Sequence, residues 1–465
     1  MKFESLILPV LFIFFLLSSF FVINKKWMSL LGLLFISFGL GAFNILYGTL
    51  WFPYKVVMIP MIIYTLFNIK FTAVRIINSY FIILVISVLV AILTAPDEPG
   101  KTFLQGPAMR PLVQLYTYAG LGLMIPFIIF IVNSPDRLQK SLKLYFRLSE
   151  IIIIFGVIHL IYIILGLEFI PIIRSGGADS VEAAFRIEEV RINRIYGFSG
   201  EPKTLATFVL PYLFISIYNY IENNFNINRI FHLTLLIASL LVIIYTFSTA
   251  ILISSIFCVA IIPYLFRNRI KSSIVRFAAV VAIGGLILIE VNNLFVKQEQ
   301  KDETEQLGWL DIVYDRSFGR VDDEFDERRE NIALNYIFKE NPIFLPTGFG
   351  LGMYNYHLPL PMHSRGVAPI DSGWVVILMD LGIIGLLFFF TLFRFILRIK
   401  RDNRLLFDNN IILNSYLIGA FVGFVSHLGN NSLYWVFLFF GLSLAAAKVL
   451  SESEQQDNSL IYKKI

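Results

Sequence analysis

The sequence predicts an all-α, polytopic membrane protein: a bundle of about 13 transmembrane helices with one large extracytoplasmic loop that contains short helices. Of its 465 residues, 57% are hydrophobic and only 15% are charged, whereas soluble domains average about 25% charged residues. The mean hydropathy is +0.74. The apolar residues lie in runs of about 20, the length that crosses a bilayer. We therefore expect one integral membrane domain, 1–465.

Thirteen apolar windows are expected to form one helix each. The first, Ser5 to Ile23, ends in bulky side chains rather than in the small residues of a cleavage site, so we interpret it as a retained span. Between Phe231 and Phe266, only Ser248-Thr249 separates two short segments. The windows begin near Ser5, Trp27, Trp51, Ile76, Pro111, Ser149, Lys203, Phe231, Ala250, Phe277, Gly373, Asn409 and Ser432.

The loops between these windows differ in charge, which predicts the orientation. Lys and Arg concentrate in alternate short loops, as they do on the cytoplasmic side of membrane proteins. This rule places the tail 449–465 in the cytoplasm and leaves two longer loops, 171–202 and 295–372, outside. The net charge of +5 therefore reflects topology and gives no reason to expect a nucleic acid partner. The single cysteine excludes a disulfide framework within the chain and a Cys-based metal site.

Arginines are numerous in the two outer loops, although positive residues are normally scarce on that side. A guanidinium group binds phosphate oxygens through two parallel hydrogen bonds and is always charged. A lipid-linked diphosphate is one ligand that would suit these residues, and pairing with the Asp and Glu of the same loops is the alternative. They are Arg174, Arg186, Arg191, Arg194, Arg316, Arg320, Arg328, Arg329 and Arg365.

A short segment of the smaller loop, RIYGFSGEPK at Arg194–Lys203, leads directly into an apolar window. Gly197 and Gly200 permit a tight turn, and Glu201-Pro202 is a favourable helix start. Glu201 could act as a base, or it could merely complement the dipole of the helix that follows.

In the larger loop, Asp326–Glu340 has the apolar spacing of a helix that ends at Asn341-Pro342. The segment NPIFLPTGFGLG (341–352) lacks the flanking elements of a nucleotide-binding loop, so its glycines instead predict a backbone that comes close to a ligand or to the membrane surface. His363 and Asp371 can accept a proton at the membrane edge. The spacing of His357 and His363 is not that of a metal site.

Five ionisable residues lie inside apolar windows, where exposure to lipid is costly. We expect them to face the interior of the bundle or a hydrated cavity. They are His159, Glu168, Glu290, Asp380 and His427.

Taken together, these segments resemble the bacterial O-antigen polymerase and O-antigen ligase superfamily of membrane glycosyltransferases, over most of the chain. Arg194 followed by Gly197-Phe198-Ser199-Gly200-Glu201-Pro202 is similar to the family's Arg–Gly–x–Glu-Pro entry to a central span. Arg186 and Gly197 match the spacing of an Arg-ten-residues-Gly pattern of some polymerases. The returning loop and helix contain Ser317, Arg320, Asn341-Pro342, Gly348-Phe349-Gly350, Asp371-Ser372-Gly373-Trp374 and Leu381-Gly382-Ile383-Ile384-Gly385.

One departure from the family pattern bears on the reaction. Where ligases usually have a His-Asn pair ahead of the helix glycine that aligns with Gly382, this sequence has Asp371-Ser372, which looks more like polymerases. Its nearest histidine is His363, so the identity of a general base stays open.

The resemblance implies that undecaprenyl-diphosphate-linked oligosaccharide repeat units are polymerised at the outer face of the bacterial cytoplasmic (inner) membrane. The product would be O-antigen, capsule or exopolysaccharide, made without metal or cofactor. Membrane lipids surround the protein, and a chain-length regulator is a further expected partner. The resemblance implies that the diphosphate is bound by Arg186, Arg194, Arg320, Arg328 and Arg329. It also implies that the catalytic residue nearest the attacking hydroxyl is Glu201, His363 or Asp371.

Two alternatives are kept. A ligase of the same superfamily would transfer finished polymer to an acceptor. A flippase or other transporter of lipid-linked glycans belongs to another class, but transporters often show internal repeats, and the sequence has no evident repeat.

Overall fold

The structure is a computed structural model. It describes residues 4–47, 49–69, 75–96, 106–107, 109–167, 169, 184–187, 190–222, 229–265, 329–358, 370, 372–402, 410–427 and 433–462.

Long α-helices dominate the described residues, and they follow the order of the apolar windows. The first nine are α1 (Glu4–Ile23), α2 (Trp27–Gly39), α3 (Pro53–Asn68), α4 (Arg75–Thr94), α5 (Arg110–Ile131), α6 (Pro135–Ile164), α7 (Pro202–Ile221), α8 (Arg229–Tyr245) and α9 (Thr249–Leu265). After them come α10 (Arg329–Asn335), α11 (Tyr354–His357), α12 (Gly373–Asp402), α13 (Ile411–Ser426) and α14 (Leu433–Tyr462).

Six of the described helices are long and apolar enough to cross a membrane: α1, α4, α5, α6, α12 and α14. Four more, α2, α8, α9 and α13, contain shorter apolar stretches. Twelve of the thirteen windows coincide with described helices, and the window near Phe277 lies outside the described residues. The prediction of a helical membrane bundle is therefore confirmed, while the number of spans stays a prediction.

The centre of the bundle is formed where α14 packs on α5 and α13, and α13 packs on α7. Trp435 and Phe437 of α14, Phe127 of α5 and Phe208 of α7 are fully buried there. Large apolar side chains of α1 and α4, such as Leu8, Phe12, Ile82 and Leu93, instead point outwards. An apolar outer surface of this kind is solvated more favourably by lipid than by water.

Several helix termini meet at one end of the bundle, which we call the loop end. It is the end at which α2, α4, α6 and α8 finish and α3, α5, α7 and α14 begin. Contacts across it include Ser199 Oγ with the Gly39 carbonyl and Thr94 Oγ1 with the Phe349 carbonyl.

Two short β-hairpins at this end are not predicted by the sequence analysis, which expected helices alone. β1 (Ile45–Tyr47) pairs with β2 (Thr49–Trp51), and β3 (Ala184–Ile187) pairs with β4 (Val190–Asn193), both antiparallel. A two-stranded hairpin is marginal by itself, so these depend on the helices beside them.

One helix starts earlier than predicted. The apolar window near Ser149 belongs to α6, which begins at Pro135, because the Ser134 side chain caps it and Asp136 pairs with Lys140 at 2.7 Å. The predicted tail, 449–465, continues α14 as a helix up to Tyr462.

Candidate functional site

The segment from Arg194 to Glu201 forms a tight turn at the loop end, as its glycines predicted. Gly197 has φ 49° and Gly200 has φ 75°, conformations that side chains rarely adopt. A Cβ atom at Gly200 would lie 2.8 Å from Cα of Ala42. The Ala42 amide donates to the Phe198 carbonyl at 3.0 Å, so the turn packs backbone against backbone on the end of α2.

Arg194 ties this turn to the end of α8. Its Nε donates to the Thr246 carbonyl at 2.8 Å, and the next amide, that of Ile195, donates to the Tyr245 carbonyl at 3.1 Å. These carbonyls end a helix, where orphan acceptors and the negative end of the dipole attract a cation. Arg194 as a whole is partly exposed, and its guanidinium is held through Nε, the nitrogen nearest the main chain.

His159 of α6 holds the same turn from the other side. Its Nδ1 accepts hydrogen bonds from the amides of Tyr196 at 3.2 Å and Gly197 at 3.1 Å. The imidazole is buried and stacks on Phe169, with ring centroids 4.1 Å apart. The prediction that this residue faces the bundle is confirmed, and its bonds require an unprotonated Nδ1.

Replacing His159 by leucine is expected to lower the stability of the protein by about 2 kcal/mol or more, because each buried amide that loses its acceptor costs about 1–3 kcal/mol. Thermal unfolding of the purified protein in detergent measures this loss. Ile161→Leu, on an exposed face of the same helix, is the control and should change little. Equal melting temperatures for the two variants would contradict this role of His159.

Glu201 lies immediately before α7 and faces two neighbours. Its carboxylate oxygens are 3.5 Å from Nζ of Lys203 and 3.1 Å from the hydroxyl of Thr204, which donates to it. About a quarter of the Glu201 side chain is exposed. The carboxylate thus lies at a helix N-terminus and is still accessible to a substrate. This position suits both a catalytic base and a group that complements the helix dipole.

The glycine-rich segment after Asn341 lies against an interruption of α12. Gly382 has φ 66° and ψ −164°, so the helical hydrogen bonds of α12 break there. The loop supplies the missing partners: the Ile383 and Ile384 amides donate to the carbonyls of Leu345 (2.9 Å) and Pro346 (3.2 Å). In return the Phe349 amide donates to the Met379 carbonyl at 2.7 Å.

Each glycine of this loop approaches a different helix. A Cβ atom would overlap α12 at Gly348, the Ala91 backbone of α4 at Gly350, and the Arg110 and Gln114 side chains of α5 at Gly352. All three glycines have positive φ. The glycines do permit a close backbone approach, but it is to helices of the protein itself. An approach to a ligand or to the membrane surface stays a prediction.

Asp380 is the buried acid of this region, with 2% exposure, as expected for an ionisable residue within a span. Its carboxylate accepts from the Gly352 amide at 2.8 Å and from the Tyr118 hydroxyl at 3.1 Å. Its backbone carbonyl accepts from Ser87 Oγ at 2.7 Å. Asp380 thus joins α4, α5, α12 and the glycine-rich loop.

Two buried cations beside Asp380 were not singled out from the sequence. Lys55, near the start of α3, is 6% exposed, and Arg110, the first residue of α5, is 5% exposed. The charge of Arg110 acts on both Lys55 and Asp380, so the three side chains share one cluster. The sequence feature that could have identified them is a basic residue inside or at the edge of an apolar window.

Three groups outside the spans have shifted pKa values. Burial raises the pKa of Tyr196 to about 12. Burial, reinforced by the nearby Asp380 charge, also raises the pKa of Tyr354. Burial lowers the pKa of His357 against an opposing hydrogen bond with the Thr94 backbone, and its ring stacks on Phe349. Both tyrosines are thus neutral near pH 7, and His357 is held towards its neutral form.

The other predicted site residues are placed as follows. Arg186 lies in β3, opposite Arg191 of β4 in the ladder. Arg329 is exposed at the start of α10, where its neighbour Glu330 accepts from the Ser372 amide at 3.4 Å. Arg194 and Glu201 are therefore brought together in one turn, while Arg329 belongs to the α10–α12 region. Arg320, Arg328, His363 and Asp371 lie outside the described residues, as do Glu168 and Glu290.

The predicted helix of the larger loop and the buried His427 are confirmed. α10 continues as a π-helical turn, Tyr336–Glu340, which ends at Asn341, and its Ala333 and Ile337 are buried. His427, at the end of α13, is buried, and its carbonyl accepts from the Gly373 amide at 3.0 Å. No group of three potential metal ligands lies together within the described ranges.

The apolar helices define a multi-pass membrane protein. Residues 234–390, about a third of the chain, are similar to the family model described as Wzy_C: O-Antigen ligase. The matched range includes most of α8, all of α9, the larger loop and most of α12. Comparisons with curated proteins and with solved structures gave no match.

Proposed function

We propose that this protein is a polysaccharide polymerase, which transfers a growing glycan from undecaprenyl diphosphate to a hydroxyl of the next lipid-linked repeat unit. The observation that carries the proposal is the family match over the larger loop and its returning helix. Asp371-Ser372, where ligases usually have His-Asn, favours polymerisation over ligation. The loop end then faces outwards from the cytoplasmic membrane, and the tail is cytoplasmic. A chain-length regulator as partner stays a prediction.

The proposed reaction is a substitution at the anomeric carbon of the donor sugar. The acceptor oxygen forms the new glycosidic bond while the bond from the anomeric carbon to the diphosphate oxygen breaks. The hydroxyl proton passes to Glu201, His363 or Asp371, and undecaprenyl diphosphate leaves with the bonding electrons. This mechanism needs a proton acceptor and a cationic site for the leaving group. In the proposal, both are side chains of the protein, and the reaction uses no metal or cofactor.

Arg194 is the diphosphate-binding residue that the described structure supports best. Its Nε is occupied by the Thr246 carbonyl, an arrangement that holds the planar guanidinium in one orientation. Preorganised donors aimed at developing charge contribute about 2.7–4 kcal/mol each to transition-state stabilisation. Glu201 belongs to the same turn, so leaving-group stabilisation and proton acceptance would occur side by side. Arg186, Arg320, Arg328 and Arg329 complete the proposed diphosphate site.

Arg194→Lys is expected to reduce polymerisation by about 100-fold, because lysine keeps the charge but loses the planar group that binds carbonyl and diphosphate together. The measurement is the length of the surface glycan together with the rate of chain extension by the purified variant.

Arg137→Lys is the matched control for this substitution. Arg137 Nη1 likewise donates to a carbonyl at the end of a helix, that of Ile131, but at the opposite end of the bundle. Its replacement should leave glycan length unchanged. If Arg194→Lys also leaves glycan length and extension rate unchanged, Arg194 has no role at the diphosphate.

A ligase is the second candidate, since the matched family model is described by that activity. Deleting the gene separates the two. Loss of a polymerase leaves surface glycan one repeat long, whereas loss of a ligase leaves long polymer on its carrier lipid.

A further inference from the structure

We propose that His159 is a positioning residue for the polymerase reaction, because it holds the backbone between Arg194 and Glu201 and so fixes how these two side chains meet a substrate. This inference rests on the proposed function, in which Arg194 binds the diphosphate and Glu201 is a candidate proton acceptor. His159 itself would touch no substrate, since it is only 3% exposed and its Nδ1 is occupied by the turn.

The two hydrogen bonds of His159 lie in the middle of the turn. Its Nδ1 accepts from the amides of Tyr196 at 3.2 Å and Gly197 at 3.1 Å, two residues that follow Arg194 and precede Glu201. The end of α8 binds the turn before these amides, and the end of α2 binds it after them. Loss of the middle anchor would therefore release the segment that connects the two proposed functional groups.

The imidazole ring is itself held in one orientation. It stacks on Phe169 with 10° between the ring planes, and the Tyr196 ring meets it edge-on with centroids 4.1 Å apart. One turn earlier on α6, Gly156 has no side chain, and a Cβ atom at Gly197 would lie 3.7 Å from its amide nitrogen. The turn thus packs directly on α6, and the direction of Nδ1 is set before a substrate binds.

The chemistry of the acceptor explains why a histidine suits this position. In a neutral imidazole one nitrogen accepts and the other carries the proton, so Nε2 of His159 carries it. A carboxylate could accept from the same two amides, but burying its negative charge in the bundle would be costly. Among other neutral side chains, asparagine is the closest replacement, because its oxygen is bonded to Cγ as Nδ1 is in histidine.

A purely structural role is the alternative to positioning. In that case His159 would stabilise the turn, and every folded molecule of a variant would react at the wild-type rate. In the positioning role, folded molecules without the acceptor react slowly. The rate per folded molecule therefore separates the two roles, whereas a melting temperature does not.

The test compares His159→Phe, which keeps an aromatic ring but removes the acceptor, with His159→Asn, which keeps an acceptor but removes the ring. Purified full-length variants are assayed for extension of lipid-linked repeat units, with kcat expressed per folded molecule. His159→Phe should lower kcat by about 100-fold at nearly unchanged KM, the effect of displacing a functional group by about 1 Å. His159→Asn should recover most of this loss.

Phe169→Leu is the matched control, because it removes the stacking partner of the imidazole and leaves both hydrogen bonds in place. Its loss of kcat should be far smaller than that of His159→Phe. Hydrogen exchange of the peptide that contains 194–201, followed by mass spectrometry, gives a readout that needs no activity. Exchange should be faster in His159→Phe and close to the wild-type rate in His159→Asn and Phe169→Leu.

Several outcomes would overturn the positioning role. They are a wild-type kcat per folded molecule in His159→Phe, an effect on KM alone, equal losses in His159→Phe and His159→Asn, and unchanged exchange in His159→Phe. If His159→Phe yields no folded protein, His159→Leu replaces it with the same expectations. If neither folds, nitrogen NMR of the histidine-labelled wild type decides, because a proton on Nδ1 of His159 contradicts the two hydrogen bonds and a proton on Nε2 supports them.

Failure of this inference is distinguishable from failure of the proposed function. A wild-type protein that lengthens glycans, with a His159→Phe variant that does so equally fast, refutes only the positioning role. A wild type that shows the expected exchange but lengthens nothing refutes the polymerase.

Discussion

Gly382→Ala is expected to destabilise the protein by about 3 kcal/mol or more, enough to remove most folded protein from the membrane. The φ and ψ of Gly382, 66° and −164°, belong to a region that only glycine adopts readily. A Cβ atom there would also overlap the Pro346 carbonyl, which caps the second half of α12. Strain and overlap each cost about 1–3 kcal/mol. Yield from membranes and thermal unfolding in detergent measure the effect.

Gly166→Ala is the matched control, because it separates strain from overlap. Gly166 has the same φ of 66°, but nothing lies within 4 Å of the position that its Cβ atom would occupy. A left-handed conformation alone costs about 1–2 kcal/mol. If both variants lose the same stability, the contact between the loop and α12 does not hold the interruption in place.

Asp380→Leu is the substitution with the second largest expected effect, a loss of about 2–6 kcal/mol, because two buried donors lose their acceptor at about 1–3 kcal/mol each. The Gly352 amide and the Tyr118 hydroxyl would lose their acceptor, and the buried Arg110 charge would lose its nearby carboxylate. Thermal unfolding and membrane yield measure the loss.

Asp380→Asn provides the comparison, since one amide oxygen can still accept from Gly352. It should lose less stability than Asp380→Leu. Adding Arg110→Met to Asp380→Leu should recover part of the stability, because it removes a buried charge that no longer has the Asp380 carboxylate nearby. A leucine variant as stable as the wild type would show that this cluster does not hold α5, α12 and the loop together.

Features set by neighbouring residues could be predicted from the sequence. Uninterrupted apolar windows locate the helices, because the bilayer demands about 20 apolar residues whatever the tertiary contacts are. Gly197 and Gly200 predict the tight turn, and Asn341-Pro342 predicts the end of the helix before it. Each of these depends on backbone preferences that act within a few residues.

Features that depend on distant residues could not be predicted in this way. The interruption at Gly382 lies inside an apolar window and needs the carbonyls of Leu345 and Pro346 as partners. Lys55 and Arg110 are far apart in the chain, and only the packing of α3 on α5 brings their charges together. The start of α6 was placed too late because its polar first turns lie outside the apolar window.

The candidate site also combines features set by neighbouring residues with features set by distant ones. Glu201 and Arg194 were recognised from one short motif, and the structure places both in one turn. The acceptor of Arg194, Thr246, and the buried partner of the turn, His159, come from other helices and carry no sequence signal of their own. Roles for Arg320, Arg328, His363 and Asp371 rest on the family resemblance.

The most direct test of the proposed function uses purified full-length protein and lipid-linked repeat units extracted from the same bacterium, with no other protein added. The polymerase proposal predicts a ladder of products lengthened by whole repeat units, with release of undecaprenyl diphosphate, and loss of that ladder in Arg194→Lys. Intact repeat units of unchanged length, in vesicles that nonetheless show transbilayer movement of the lipid, would contradict it and identify a transporter instead.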